Sequence, residues 1–309
     1  MTRHNGTADD WQARAARMAR GVRRRVLEHT LRNNGGYLSQ ACSSAEILAA
    51  LYLKVMRLGP SQGPLVPGPF VATPRAGELR AFTGADYNGQ RAPELDRFIF
   101  SPVHYALVLY SALIEVGRLG DCALDDFNKD GSTLEMIGAE HSPGHEITAG
   151  SLAQAISQAG GIALARKLRG DTGRVWVFMS DGEFQEGQTW EAFAALSYHS
   201  VDNLGVYIDA NGQQCDGKID DVMRIEPLRA RLEAFGARVE EVDGHDLEAL
   251  ASAGEGFAPG RPLAVICRTD PCRGLALLEE RRPRLHYVRF KSEAEREAYR
   301  RALVDLSEA

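Results

Sequence analysis

Apolar residues recur along this chain with two different periods, and the change from one to the other predicts its layout. Over the N-terminal helical segment 10–32 and again over residues 44–56 they return every three or four positions, which places them on one face of a helix. Ser44 stands where it would cap the second of these. Further helices are expected over residues 105–115, 151–168 and 189–199. A C-terminal helix over 292–306 opens on a capping box of Ser292 and Glu295. Short stretches with apolar residues at 97–100, 175–179, 204–208, 238–242 and 263–267 read instead as strands of a sheet covered on both faces. Strands alternating with helices predict an α/β fold, a mostly parallel sheet with helices on both faces. Residues 58–93 are rich in Pro and Gly without periodicity, which predicts a long surface excursion within a single domain spanning 1–309.

With 44% hydrophobic and 25% charged residues, the 309-residue chain can bury a large core. A net charge of -6 with both signs mixed excludes nucleic acid and an anionic membrane as the main partner, since those need a concentrated basic face. The basic run RGVRRR, Arg20 to Arg25, falls within the first helix and reads as a solvated face or a subunit contact. Five scattered cysteines without a CxxC pair predict reduced thiols and a cytoplasmic protein. No apolar run reaches membrane-spanning length, and the first residues lack the apolar core of a signal peptide.

Candidate chemistry concentrates in residues 177–217, VFMSDGEFQEGQTWEAFAALSYHSVDNLGVYIDANGQQCDG. Asp181 and Asn211, 30 positions apart, fall just past the ends of two strands expected to be neighbours. That edge is where open parallel sheets bind ligands. A carboxylate, an amide oxygen and a nearby backbone carbonyl make a hard oxygen set suited to Mg2+, completed by phosphate oxygens of a ligand. Gly182 would let backbone N–H groups approach those phosphates. Taken alone, the DG dipeptide is an ordinary turn. Two calcium-loop patterns fail on their own geometry: one has Gln214 where a sharp turn demands glycine, the other Ile137 where a ligand is required.

In its context the stretch resembles the thiamine diphosphate fingerprint, GDG followed about thirty residues later by an asparagine. SDGEFQEGQTWEA, DNLGVYIDANGQQCDG, the later DGHD and TAGSLAQAIS at 148–157 are similar to the corresponding parts of the transketolase family, over roughly residues 23–287. The resemblance implies the thiamine diphosphate-binding fold, its diphosphate (PP) module, with thiamine diphosphate and Mg2+ as cofactors. It implies transfer of a two-carbon ketol unit from a ketose to an aldose, with sugars or sugar phosphates as substrates. Carried over by position, Asp181, Asn211 and the main-chain carbonyl of Gln213 would hold the metal. Gly182 and Glu183 would meet the diphosphate, and Gly150, Ser151 and Leu152 would line the cofactor. His104 and His286 match histidines that face the substrate and are the expected catalytic side chains. Glu186, like Glu191, corresponds to buried acids at a subunit contact that relay protons. His141 and His145 fall where the spacing departs from the family, and His245 reads as a residue that fixes a loop.

Departures from the family pattern matter as well. Ser180 replaces the first glycine of GDG, and Tyr37 stands at the place of a substrate-binding histidine. A phenol is not a cation at neutral pH. The GGYLS segment is also similar to GGHLS-like segments of thiamine-dependent 2-oxoacid dehydrogenases, so 2-oxoacid decarboxylation stands as an alternative, with a catalytically silent scaffold as another. The family's pyrimidine-binding domain, which supplies an essential glutamate, follows the diphosphate domain. With Ala309 as its last residue, the chain is expected to work with a C-terminal transketolase subunit in a heterotetramer.

Overall fold

A computed structural model describes residues 11–70 and 83–308. The first ten residues, and residues 71–82 within the expected excursion, lie outside the described residues. The order begins α1 (Trp11–Asn33), α2 (Leu38–Ala50), β1 (Arg97–Phe100) and α3 (Ala106–Glu115). It continues α4 (Gln154–Arg169), β2 (Val175–Ser180), α5 (Gly187–Tyr198) and β3 (Leu204–Ala210), then a small ladder of β4 (Gln213–Gln214) and β5 (Gly217–Lys218). The last elements are α6 (Ile219–Val222), α7 (Leu228–Ala234), β6 (Arg238–Asp243), α8 (Leu247–Ala253), β7 (Leu263–Arg268) and α9 (Glu293–Glu308).

Five strands form one parallel sheet in the order β1-β2-β3-β7-β6. Alternation along each strand divides the core in two. Trp176, Phe178, Tyr207 and Val265 pack with α1, α2, α3 and α8 on one face. Val177, Met179, Ile208 and Ile266 pack with α4, α5 and α7 on the other. Burial on both faces is why β1, β2, β3 and β7 read as apolar runs. The strand β6, expected to be buried likewise, is an edge strand in which only Val239 is buried and the charged residues are exposed or half-buried.

Four local differences from the sequence expectation have physical causes. The second helix begins at Leu38, and Ser44 lies buried inside it, donating its hydroxyl to the Gln40 carbonyl at 2.6 Å rather than capping. The helix α4 begins only at Gln154, because Ala153 adopts a left-handed φ of 68°. Part of the expected surface excursion is tucked inward: Ala85, Tyr87 and Asn88 are buried in the turn Gly84–Asn88. The Arg97 guanidinium donates to the carbonyls of Ala85, Gly89 and Gln90 there, so these three carbonyls are satisfied by a buried side chain. The basic run of α1 is also not simply a solvated face. Arg23 is buried against Glu46, and Arg25 pairs with Glu115 and Asp121. Among the described residues, no helix is long and apolar enough to cross a membrane.

Candidate functional site

Ser180 pairs with Asp209 across β2 and β3, so Asp181 and Asn211 leave neighbouring strands at the carboxyl edge of the sheet. Asp181 opens a 3-10 turn, Asp181–Gln185, and is buried. Its Oδ2 accepts from the Gly212 N–H at 2.7 Å, while Oδ1 is buried without a hydrogen-bond partner among the described residues. Burial, and secondarily the Asp209 carboxylate, hold the Asp181 carboxyl well above the usual range. The Asn211 amide donates to Asp209 Oδ2 at 3.0 Å and accepts from the Gln213 N–H at 2.9 Å. Gln213 Oε1 is a second buried oxygen without a partner among the described residues. These residues line a cavity of about 210 Å³ together with Gly212, Lys218 and Arg268. A carboxylate that resists ionisation in place, beside orphaned oxygen acceptors, is a donor set that a divalent cation satisfies, and the residues fit Mg2+.

The Gly150–Ser151 backbone is exposed and Leu152 half-buried, on the loop that ends at Ala153. A side chain at Gly150 would approach only Ile137, at 4.0 Å, so this stretch of main chain is open to a ligand. Gly182 is similarly unobstructed: a methyl group there would come no closer than 3.7 Å to Gln214 Cβ. The Glu183 side chain is engaged elsewhere. Fully buried, it accepts from the Ser101 hydroxyl, from Ala153 N–H at 3.1 Å, and from Ser180 N–H at 2.8 Å. It ties the ends of β1 and β2 to the loop before α4, which leaves its main chain for any contact with a diphosphate.

Tyr37, His104 and His286, distant in sequence, meet as a cluster of rings. Tyr37 lies with its centroid 5.4 Å from each histidine, the histidines are 5.3 Å apart, and Tyr287 closes the group 5.0 Å from Tyr37. Burial, then the neighbouring His286, pushes His104 down to about 3. Burial also lowers His286, whose Nδ1 and carbonyl both meet Gln40 Nε2, at 3.0 and 2.9 Å. Burial, Tyr287 and Cys215 raise the Tyr37 phenol. At neutral pH all three rings are uncharged, so they offer hydrogen bonds rather than charge. Tyr105 joins the cluster to the acidic edge: its ring packs 4.6 Å from that of His104, and burial, then the Asp209 and Asp181 carboxylates, raises its phenol.

Residues 79–276 match the thiamine diphosphate binding domain of transketolase. This chain belongs to the transketolase family. A transketolase family protein of Sinorhizobium fredii is 34% identical over 285 residues, covering 90% of this chain and 92% of the relative. A 6-deoxy-6-sulfo-D-fructose transketolase subunit of Clostridium sp. is 30% identical over 84% of this chain and 85% of its own length. An apulose-4-phosphate transketolase subunit of Actinobacillus succinogenes is 29% identical over 87% and 88%. Among solved structures, the transketolase of Campylobacter jejuni superposes with a TM-score of 0.69 at 22% identity, over 96% of this chain and 47% of that one. The fold is therefore the thiamine diphosphate-binding fold of transketolases, and the chain spans about half the length of that solved relative.

Other residues of this transketolase-family chain take different positions. Glu186 and Glu191, which the resemblance places among buried acids, are exposed in the single chain, just before and on α5. Glu191 lines a 310 Å³ groove between α4 and α5 with Gly160, Gly161 and Leu164, so burial there requires another polypeptide. The His141 ring packs tilted against Phe70, centroids 4.3 Å apart, with Nε2 3.0 Å from a Glu135 carboxylate oxygen. His145 is buried between Phe100 and Tyr110. His245 does fix a loop: Nδ1 meets Glu46 at 3.0 Å and Nε2 accepts from the Asp270 N–H at 2.8 Å. Sequence reasoning missed Asp209, Tyr105 and Gln40. The one available signal was an acidic residue inside an apolar strand run, which calls for buried partners.

Proposed function

We propose that this chain is the diphosphate-gripping subunit of a split transketolase. It uses thiamine diphosphate and Mg2+ to move a two-carbon ketol unit from a ketose to an aldose, together with a pyrimidine-domain partner subunit. The observation that carries the reading is Asp181, a buried carboxylate with one oxygen unpartnered among the described residues, set beside Asn211 at the carboxyl edge of the sheet. Asp181, Asn211 and the main-chain carbonyl of Gln213 would hold the ion. Gly182 would admit the diphosphate to backbone N–H groups, with Gly150, Ser151 and Leu152 lining it and the Glu183 side chain keeping both loops in place. Bound thiamine diphosphate supplies the acidic carbon and electron sink that carbon–carbon cleavage needs.

The protein's own contribution is orientation and hydrogen bonding. His104 and His286, held neutral, would donate to substrate oxygens on which charge develops. Tyr37 would border the same oxygens with a phenol that keeps its proton. Glu186, exposed in the single chain, would act across a subunit contact in a heterotetramer. Relatives whose names pair the word subunit with 6-deoxy-6-sulfo-D-fructose and apulose-4-phosphate support both a partner chain and a sugar or sugar phosphate substrate. A single diphosphate-binding domain working in the cytoplasm is the setting that accords with this reading.

The test is a mixture of this chain with its partner subunit, given a ketose phosphate and an aldose. Transfer, with release of the shortened aldose, supports ketol chemistry; carbon dioxide from pyruvate instead would assign 2-oxoacid chemistry, and neither would leave a silent scaffold. Asp181→Ala is expected to abolish Mg2+-dependent uptake of the coenzyme by the assembled complex, measured by calorimetry. Undiminished uptake would remove the reading.

A further inference from the structure

We propose that Asp209 is a positioning residue for the metal site, fixing which side of the Asn211 amide is turned toward the ion. The inference rests on the reading of Asp181 and Asn211 as metal ligands. An asparagine offers oxygen on one side of its amide and NH2 on the other, in nearly the same shape, so an indifferent pocket would hold either flip. Only one flip binds a cation.

Asp209 removes that ambiguity. It is fully buried near the end of β3, where a carboxylate is tolerated only if its oxygens are hydrogen-bonded. Three segments supply the donors. Ser43 of α2 donates to Oδ2 at 2.6 Å, Thr269, just after β7, donates to Oδ1 at 2.6 Å, and the Asn211 NH2 donates to Oδ2 at 3.0 Å. The two hydroxyls rotate freely to suit the carboxylate, whereas the amide must choose. With a hydroxyl donating to each of its oxygens at 2.6 Å, Asp209 presents acceptors on both sides, so it selects the NH2 side. Ser43 Oγ reinforces the choice, 3.4 Å from the same Asn211 nitrogen. The Asn211 oxygen is thereby turned the other way, where it accepts from the Gln213 N–H at 2.9 Å and keeps a second lone pair for an ion.

The experiment uses the complex of this chain with its partner, titrated with Mg2+, and with Mn2+ read by electron paramagnetic resonance, at saturating thiamine diphosphate. Asp209→Asn keeps the size of the side chain but abolishes its selectivity for a donor. It is expected to weaken the affinity for both ions by roughly 10–100-fold in complex that still assembles. The exchange Asp209→Asn with Asn211→Asp re-creates a donor–acceptor pair with an oxygen facing the ion, and is expected to recover most of the loss. A merely structural role would lower thermal stability without moving ion affinity, and would show no recovery in the exchange. Should Asp209→Asn fail to assemble, Ser43→Ala removes one clamp only and is expected to shift ion affinity in the same direction, by roughly several-fold. Ion affinity within about two-fold of wild type in every assembled variant overturns the proposal while leaving the metal reading standing. Coenzyme uptake by the wild-type complex without any divalent ion overturns both.

Discussion

His145 shows what a single buried side chain does to this protein. Neither ring nitrogen has a hydrogen-bond partner among the described residues, and burial, then His141, pushes it down to about 3. His29 and His104 are likewise lowered, to about 4 and about 3. The unfolded chain takes up a proton on each near pH 6.5 and the folded chain does not. Stability is therefore fully present above that pH and is lost as pH falls toward the folded values. The loss is on the order of 1.4 kcal/mol per pH unit per histidine at most. The urea midpoint is expected to fall between pH 7 and pH 5, and His145→Leu should flatten that slope without lowering the midpoint at pH 7. Asp181 acts with the opposite sign. Its raised carboxyl penalises the ion-free fold as pH rises above the ordinary Asp range, about 4, until the raised folded value is passed, so Asp181→Asn is expected to stabilise the ion-free chain at pH 7 by about 1–2 kcal/mol. A lower denaturation midpoint for that variant would contradict the account of a site held under electrostatic penalty until a cation arrives.

The elements carry the site by ending in the right places. Because β2 and β3 are parallel and in register, their last residues deliver Asp181 and Asn211 together, and the helices that follow start clear of them. The loop before α4 reaches the same edge only by turning through Ala153 in the left-handed region, where a Cβ costs about 1–2 kcal/mol. Ala153→Gly is expected to raise stability by about 0.5–1 kcal/mol, since the relief of strain exceeds the added freedom of the unfolded chain. Thermal unfolding of the variant checks this. In β3, an alanine at Gly205 would bring its Cβ within 2.4 Å of the Trp176 ring. Gly205→Ala should cost roughly 1–3 kcal/mol by overpacking, visible as a lower denaturant midpoint. Four strands were legible in the sequence because β1, β2, β3 and nearly all of β7 are buried along their length, whereas the edge strand β6 buries only Val239 and was legible from Val239 and Val242 alone. The short helices α6, α7 and α8 were not, because one or two turns are too few for a period to emerge.

At the scale of the molecule, two hydrophobic layers back the sheet, one built on α1, α2, α3 and α8 and the other on α4, α5 and α7. The second layer also presents outward features: exposed Leu168 on α4, exposed Tyr198 on α5, and the groove between these helices. Under the proposed function this chain alone is expected to show no ketol transfer, and addition of the partner subunit should restore it in proportion to the complex formed. Coupled assays on size-fractionated mixtures measure both quantities together. Turnover by the unaccompanied chain would refute the division of labour.

Local pattern alone determined the strands, the main helices and the placement of Asp181 and Asn211 at one edge, because burial imposes its period on neighbouring positions of the chain. The tertiary structure decided the rest. Asp209 draws its donors from residues 166 and 60 positions away, and no local period records such a contact. The ring cluster likewise gathers Tyr37, His104 and His286 from three separate segments. Their protonation and orientation follow from burial and from neighbours that only folding supplies. A residue's type was readable from the chain, but its charge state and its facing depend on what the fold packs around it.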